Sequence, residues 1–259
     1  MKATAPLWLA CWFNVSTAGR RHFIAFRRKD GCTVHIMEGY LPLVHAAAWT
    51  AASTPFVWHG VRELSRSSAR NRDARFTIAA AAAFTLLLSS LKIPSVVGSS
   101  SHPTGTALGT MLVGASSMAV VSCVVLLFQA LVLAHGGITT LGANVFAMGV
   151  VGPWVAWLVY RVVKRLGLST VYAAGAAAVF GDLATYVTTS VQLALAHPEA
   201  GGSVLAAFFR FAGVFSFTQV PIALLESVLT VLVLRALPYE SLAHFSKRPP
   251  EAVGTLSSG

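Results

Sequence analysis

Two histidines lie in irregular, turn-rich segments where an imidazole could bind a divalent metal ion. His35 belongs to the run Val34-His-Ile-Met-Glu-Gly-Tyr-Leu-Pro42, and His102 lies in the Gly-, Ser- and Pro-rich stretch 94–106. A histidine that directly follows the first residue of a chain can chelate a metal with the terminal amine, its own backbone nitrogen and its ring. At an internal position His35 offers one ordinary imidazole. Neighbouring hydroxyl groups could aim His102 at a metal, and the simpler alternative is a solvated loop histidine.

Other polar residues narrow the possible chemistry. His45 and His135 suit hydrogen bonding between helices, whereas His59 lies at the end of an apolar segment. His35 and Glu38 have a spacing compatible with one helix face, but the second histidine of a zinc-peptidase helix is missing. The sequence contains no Gly-rich phosphate loop followed by Lys-Ser/Thr, so the chain does not itself hydrolyse ATP by that route.

The composition indicates a membrane-embedded protein. Of the 259 residues, 55% are hydrophobic and 11% are charged, whereas soluble domains carry about 25% charged residues. The net charge of +10 does not indicate a nucleic-acid partner, because residues 1–33 supply six basic residues against one acidic residue. Most other basic residues lie between apolar segments, where they report membrane orientation. Asp182 and Glu226 lie within apolar segments, where carboxylates are costly and usually functional or paired.

Apolar segments predict an all-α, polytopic integral membrane protein with about seven (six to seven) transmembrane helices. The segments are 41–61, 75–93, 104–117, 118–134, 138–160, 169–195 and 205–236. If 104–134 crosses twice, with 104–117 short and partly re-entrant, three basic clusters fall on the cytoplasmic side. The clusters are Arg62, Arg66, Arg70, Arg72 and Arg75; Arg161, Lys164 and Arg165; and Arg235, Lys247 and Arg248. This topology puts the N-terminal metal-binding loop outside, the C-terminus in the cytoplasm, and residues 241–259 in a disordered cytoplasmic tail.

Several motifs occur together over residues 34–240. They are His35–Pro42, Leu91–Ser95 leading into Ser101–Gly105, Leu127–Leu131, Ala134–Asn144, Gly181–Tyr186, Gln192–Leu195, and Thr218–Ile222 with Glu226. In these motifs the chain resembles the CbiM/NikM family, the substrate-binding membrane (S) components of energy-coupling-factor (ECF) cobalt and nickel transporters. Nickel relatives usually read Pro-Asp-Gly after the His-Ile pair, so Met37-Glu38-Gly39 favours cobalt.

The resemblance implies a non-enzymatic transport component that binds Co2+ as its substrate and uses no cofactor beyond that ion. It implies a site formed by the terminal amine of residue 34, which is Val34 here, the backbone and ring nitrogens of His35, and the ring of His102. Four such nitrogens form a near-planar set that suits Ni(II) and Cu(II) and can accept Co(II). Two alternatives stay open. One is a nickel-specific counterpart, and the other is a stand-alone proton-coupled Co/Ni secondary permease in which Asp182 or Glu226 relays protons.

The resemblance also implies partners and a location. The expected partners are a CbiQ-like membrane coupling (T) protein, a CbiO-like cytosolic ATPase and a CbiN-like small auxiliary membrane protein. The transporter would be multi-pass in the bilayer of a bacterial or archaeal cell (inner) membrane and would supply cobalt for cobalamin biosynthesis.

The amine ligand requires the working chain to begin at residue 34. Residues 1–33 are therefore interpreted as a misassigned start or a cleaved signal, followed by a transmembrane metal-binding domain at 34–240. GUG encodes Val at an internal position but is translated as Met when it is the start codon. If translation begins at residue 34, residues 34 and 35 are therefore Met-His. A cleaved signal is the second route, although Gly31-Cys-Thr33 is a poor small-x-small cleavage site.

Overall fold

The computed structural model describes residues 35–70, 72–91, 93–94, 100–198 and 202–236. The predicted leader at 1–33, the proposed amine ligand at Val34 and the predicted tail at 241–259 lie outside the described residues.

The described part of the chain is almost entirely helical, which confirms the all-α prediction. A two-residue antiparallel pair, β1 (Ile93–Pro94) with β2 (Ser100–Ser101), is the small exception within it. The helices are α1 (Leu43–Arg70), α2 (Arg72–Ser90), α3 (Thr106–Val113), α4 (Ala115–Val132), α5 (Leu141–Asn144), a π-helical segment (Val145–Val151), α6 (Gly152–Arg165), α7 (Thr170–Ala196) and α8 (Val204–Ala236).

Long apolar helices make this a multi-pass membrane protein. Among the described residues, four helical stretches are long and apolar enough to cross a bilayer. They are Ala115–Val132, Leu141–Arg165, Thr170–Ala196 and Val204–Ala236. The seven crossings and the external start stay predictions, because helix length and composition do not give orientation.

The first helix is longer than its apolar segment. The segment ends near residue 61, whereas α1 continues to Arg70. The added residues are Arg, Glu, Leu, Ser and Ala, none of which breaks a helix. Part of the first basic cluster therefore projects from a helix rather than from a loop. Arg62 places its guanidinium 4.9 Å from the ring centroid of Trp58, a cation–π contact.

The stretch 104–134 contains two helices, and the break between them is a single residue. Gly114 separates α3 from α4 with φ of 89°, a left-handed conformation that favours glycine. An eight-residue α3 is about 12 Å long and cannot cross a layer of about 30 Å by itself. Residues Thr106–Met111 are all buried, as the re-entrant interpretation requires of a short segment shielded by protein.

Small residues let the central helices approach closely. The buried face of α7 carries Ala173, Ala174, Ala177, Ala178 and Gly181. A Cβ added at Gly181 would lie 2.9 Å from the Cβ of Ala156 and 3.1 Å from the carbonyl oxygen of Gly152. In lipid, close packing of this kind drives helix association because burying apolar surface gives no advantage.

A buried carboxylate on α8 fixes the connection that leads into α3. Glu226 is fully buried, and its Oε2 accepts a hydrogen bond from the Thr104 amide at 2.5 Å. Its Oε1 accepts from the Gly105 amide at 2.9 Å and from the Thr104 hydroxyl at 3.1 Å. Both amides precede the first residue of α3, so no earlier helical carbonyl can accept from them. The carboxylate therefore supplies the partner that irregular backbone needs inside a membrane protein.

Replacing Glu226 tests this anchor. We expect Glu226→Ala to lower the free energy of unfolding by about 2–5 kcal/mol, because two buried amides lose their acceptor. Glu226→Gln keeps one acceptor oxygen, so its loss should be smaller. Thermal unfolding of the purified protein in detergent measures both. Thr188→Val is the matched control, since the Thr188 hydroxyl only donates to Ala184 within α7. An unchanged midpoint for Glu226→Ala would contradict the anchor.

Candidate metal centre

Three buried imidazoles meet between segments that are far apart in sequence. His35 precedes α1, His102 follows β2, and His135 lies in the turn after α4. Their exposed fractions are 5%, 1% and 1%. The ring centroid of His35 lies 4.4 Å from that of His102 and 4.5 Å from that of His135. One nitrogen from each ring lies within 4.8 Å of the others, an arrangement that could hold a metal ion.

The backbone next to His35 is held by side chains of the segment that enters the π-helical stretch. Asn144 accepts from the Ile36 amide with Oδ1 at 3.0 Å and donates to the Ile36 carbonyl with Nδ2 at 3.1 Å. The Thr140 hydroxyl donates to the same carbonyl at 2.6 Å. Asn144 thus imitates the neighbouring strand of a sheet and satisfies both backbone polar groups of Ile36. The segment is fixed where it enters the helix bundle.

Glu38 stabilises the turn beyond His35 rather than sharing a helix face with it. The Tyr40 amide donates to the Met37 carbonyl at 3.1 Å, so the backbone turns before α1 begins. The Glu38 carboxylate accepts from the Thr139 amide at 3.1 Å. Hydrogen bonds from the Thr139 side chain and from the Thr139 and Ile138 amides outweigh partial burial and lower the pKa of Glu38. His35 and Glu38 therefore do not share a helix face, although their spacing in the sequence allowed it.

Gly137 allows the two loops to pack against each other. A Cβ on this residue would lie 2.6 Å from both the Cα and the amide nitrogen of Glu38. Any other side chain would push the turn after α4 away from the segment that carries His35. The glycine therefore belongs to the site, although it offers no ligand.

A hydrogen bond from the ring of His102 defines its tautomer. Its Nδ1 lies 3.0 Å from the carbonyl oxygen of Pro103. A carbonyl only accepts, so Nδ1 carries the proton and Nε2 carries the lone pair that a metal requires. The His102 carbonyl accepts from the Tyr186 hydroxyl at 2.6 Å and from Gln219 Nε2 at 3.4 Å. Ring and backbone of His102 are thus both constrained before any ion binds.

A glutamine on α4 defines the tautomer of His35 in the same way. Gln129 Nε2 donates to the Ser89 hydroxyl at 2.7 Å, which leaves Gln129 Oε1 facing His35 Nε2 at 3.2 Å. The amide oxygen only accepts, so His35 carries its proton on Nε2 and its lone pair on Nδ1. Gln129 is fully buried. Because it lies on α4 and donates to Ser89 on α2, it links His35 to both helices.

A small cavity adjoins the two constrained rings. The residues that line it come from four separate parts of the chain. They are His35, His102, Asn144, Ala147, Met148, Thr185, Tyr186 and Thr189. The α7 hydroxyl groups therefore face the same space as the imidazoles.

The second buried carboxylate lies one contact behind His102. Asp182 is 1% exposed, and its Oδ2 accepts from Gln219 Nε2 at 3.3 Å. The same amide group donates to the His102 carbonyl. Asp182 and Glu226, singled out from the sequence as costly carboxylates, both act on the backbone around His102.

The structure brings together the two histidines that the sequence singled out. His35 and His102 lie in direct ring contact, whereas Val34 is outside the described residues. Sequence reasoning missed His135, which it assigned to hydrogen bonding between helices. Its usable signal was the Gly136-Gly137 pair, which marks an irregular turn of the kind that carries His35 and His102.

Comparison with known proteins gives consistent matches over most of the chain. The family model described as "Cobalt uptake substrate-specific transmembrane region" matches residues 35–240. The "Cobalt transport protein CbiM" of Streptomyces coelicolor is 49% identical over 214 residues, which cover 83% of this chain and 92% of that protein. The protein of the same name from a Roseiflexus species is 51% identical over 228 residues, covering 87% of this chain and 90% of its own.

A solved structure has the same fold. The crystal structure of a truncated transition metal transporter superposes with a TM-score of 0.69 at 26% sequence identity. The match covers 81% of this chain and 99% of that one. Family model, relatives and fold agree, and the family model spans the segments that carry the histidine cluster. The chain belongs to the CbiM family of cobalt uptake substrate-specific transmembrane components.

Proposed function

We propose that the protein binds Co2+ between His35 and His102 as the substrate-binding component of an ATP-driven ECF-type transporter. The observation that carries the proposal is the buried contact of these two rings, each held in a defined tautomer, in a chain of the cobalt uptake family. The transporter would operate in a bacterial or archaeal cell membrane and supply cobalt for cobalamin biosynthesis. The relatives' name, cobalt transport protein, supports the choice of ion.

The proposed ligands are the amine of residue 34, the backbone nitrogen and Nδ1 of His35, and Nε2 of His102. The tautomers support this set. Within one residue, the backbone nitrogen and Nδ1 close a six-membered chelate ring around a metal, whereas Nε2 points away. Gln129 accepts a hydrogen bond from His35 Nε2–H, so the lone pair lies on the chelating nitrogen, Nδ1. The set requires residue 34 to be the amino terminus, so we propose that the mature chain starts there.

Removing either imidazole should remove high-affinity binding. We expect His35→Ala and His102→Ala each to weaken Co2+ binding by at least about 100-fold, because each deletes a direct ligand. Isothermal titration calorimetry of purified protein whose amino terminus is residue 34 measures this. The matched control is His59→Ala, which removes an exposed imidazole on α1 and should leave affinity within about twofold of the wild type. Native affinity in His102→Ala would contradict the site.

In the proposed transporter, partner proteins supply the energy for uptake through ATP hydrolysis. They are a CbiQ-like coupling protein, a CbiO-like ATPase and a CbiN-like auxiliary membrane protein. The competing proton-coupled permease would use Asp182 or Glu226 as a relay. Both carboxyl groups have structural contacts, since Glu226 accepts from Thr104 and Gly105 and Asp182 accepts from Gln219. They also interact with each other, so uptake measurements are needed to separate a structural role from a relay.

Uptake measurements separate the two energy sources. In cells that lack the ATPase, we expect accumulation of radioactive Co2+ to fall to the background of cells without this protein. In cells with the ATPase, an uncoupler applied while ATP is maintained should change the rate little. Uptake at the normal rate without the ATPase, combined with loss of uptake under the uncoupler, would establish the permease instead.

A nickel-specific transporter is the second candidate, because the proposed ligands do not distinguish the two ions. Four near-planar nitrogens suit Ni(II) at least as well as Co(II), so the proposed ligand set does not by itself select cobalt. Selection between the two ions must come from another feature of the site.

A further inference from the structure

We propose that Asp182 carries a proton in the working protein and donates a hydrogen bond to Glu226, which positions the loop before α3. The inference goes beyond the proposed ligand set, because Asp182 binds no ion in it. It rests on the proposed function, since the positioned loop carries His102. It also gives the Asp182–Glu226 pair a fixed protonation state, which a proton relay does not have.

Two carboxyl groups meet in the interior without a basic side chain to neutralise them. The carboxyl groups of Asp182 and Glu226 face each other at hydrogen-bonding range, and the two residues are 1% and 0% exposed. Within the described part of the chain, neither carboxyl forms an ion pair with lysine or arginine. Ionised carboxylates accept hydrogen bonds and donate none, so two of them in contact only repel each other. One proton between them changes this repulsion into a hydrogen bond.

The donors around the two carboxyl groups decide which one keeps the proton. Glu226 accepts from the amides of Thr104 and Gly105 at 2.5 and 2.9 Å and from the Thr104 hydroxyl. Asp182 has one donor of its own, Gln219 Nε2, which binds Oδ2. Among the described residues, its buried Oδ1 has no hydrogen-bond donor. Donated hydrogen bonds stabilise a carboxylate, so Glu226 is the ionised member and Asp182 Oδ1 carries the proton.

A protonated Asp182 completes a network that holds the loop from two sides. Gln219 Nε2 donates to Asp182 Oδ2 at 3.3 Å and to the His102 carbonyl at 3.4 Å. A protonated carboxyl group keeps one oxygen as an acceptor, so Oδ2 receives the Gln219 bond while Oδ1 donates. Asp182 thus connects the amide group that holds His102 with the carboxylate that holds Thr104 and Gly105.

The network joins α7 and α8 at the faces that they bury against each other. Asp182 and Tyr186 are one turn apart on α7, Gln219 and Glu226 are two turns apart on α8, and all four are buried. The Tyr186 hydroxyl donates to the His102 carbonyl at 2.6 Å. The position of His102 therefore depends on contacts from both helices. A side chain at position 182 that neither donates nor accepts should loosen the loop while leaving every proposed ligand in place.

Asparagine and leucine at position 182 separate a neutral donor from a charge. Asp182→Asn keeps a donor and an acceptor but cannot ionise. We expect it to bind Co2+ within about threefold of the wild-type affinity, and Asp182→Leu, which has no polar atom in its side chain, to bind at least about tenfold more weakly. Isothermal titration calorimetry of purified protein whose amino terminus is residue 34 measures both. The matched control is Ser190→Ala, which removes a buried hydroxyl that donates to the Tyr186 carbonyl within α7 and should leave the affinity unchanged.

Infrared spectroscopy detects the proton directly, and a merely structural role for Asp182 does not predict its signal. A protonated carboxyl group has a carbonyl stretching band that a carboxylate lacks. At a pH where exposed aspartates are ionised, we expect this band in the wild-type protein and its loss in Asp182→Asn. Labelling the aspartate carboxyl carbon with carbon-13 should shift the band. The band decides the assignment even if Asp182→Leu does not fold.

Uptake distinguishes a fixed proton from a relayed one. With the partner ATPase present, Asp182→Asn should take up radioactive Co2+ at the wild-type rate, whereas a relay through Asp182 would lose uptake at normal affinity. The inference is overturned by loss of uptake in that variant, by absence of the acid band from the wild type, by native affinity in Asp182→Leu, or by equal loss of affinity in both variants. None of these outcomes removes Co2+ binding by the wild type, and its absence would contradict the proposed function instead.

Discussion

Irregular backbone buried in a membrane protein must have its hydrogen bonds supplied by the protein itself, and the arrangement of this site depends on that constraint. Three segments without regular structure reach the histidine cluster, and two of them show the constraint most clearly. Asn144 and Thr140 satisfy the peptide after His35, and Glu226 satisfies the amides that follow His102. Water or lipid cannot replace these partners inside the bundle, because an unpaired amide there costs several kcal/mol.

The same contacts prepare the imidazoles for a metal. Gln129 and the Pro103 carbonyl each accept a hydrogen bond from a ring N–H, one from His35 and the other from His102. Protons held in this way leave the opposite nitrogens with their lone pairs, so no tautomer change is needed when an ion arrives. The polar residues that stabilise the loops thus also determine which atoms can act as ligands.

Sequence reasoning reached the fold class and two of the clustered histidines. Long apolar runs predict helices directly, because length and hydropathy are local properties. His35 and His102 were found because each lies among turn residues, and the family resemblance brought them together. The one-residue break at Gly114 was only partly foreseen, because the predicted segments 104–117 and 118–134 divide three residues too late.

The features that escaped prediction depend on contacts between distant parts of the chain. His135 joins the cluster because Ala134 adopts a left-handed conformation, which is not predicted for an alanine. Asp182 and Glu226 stood out as costly carboxylates, but their roles follow from Gln219 and Thr104, which are distant in sequence. The end of α1 at Arg70 was missed for the opposite reason, because hydropathy marks the apolar part of a helix and not its polar continuation.

Cobalt K-edge X-ray absorption of the Co(II)-loaded, purified protein tests the central claim most directly. In the proposed site the ion is held by imidazoles between the two anchored loops, so the spectrum should show a first shell dominated by nitrogen, with multiple scattering from at least two imidazole rings. A shell dominated by oxygen, or scattering from fewer than two imidazoles, would contradict it.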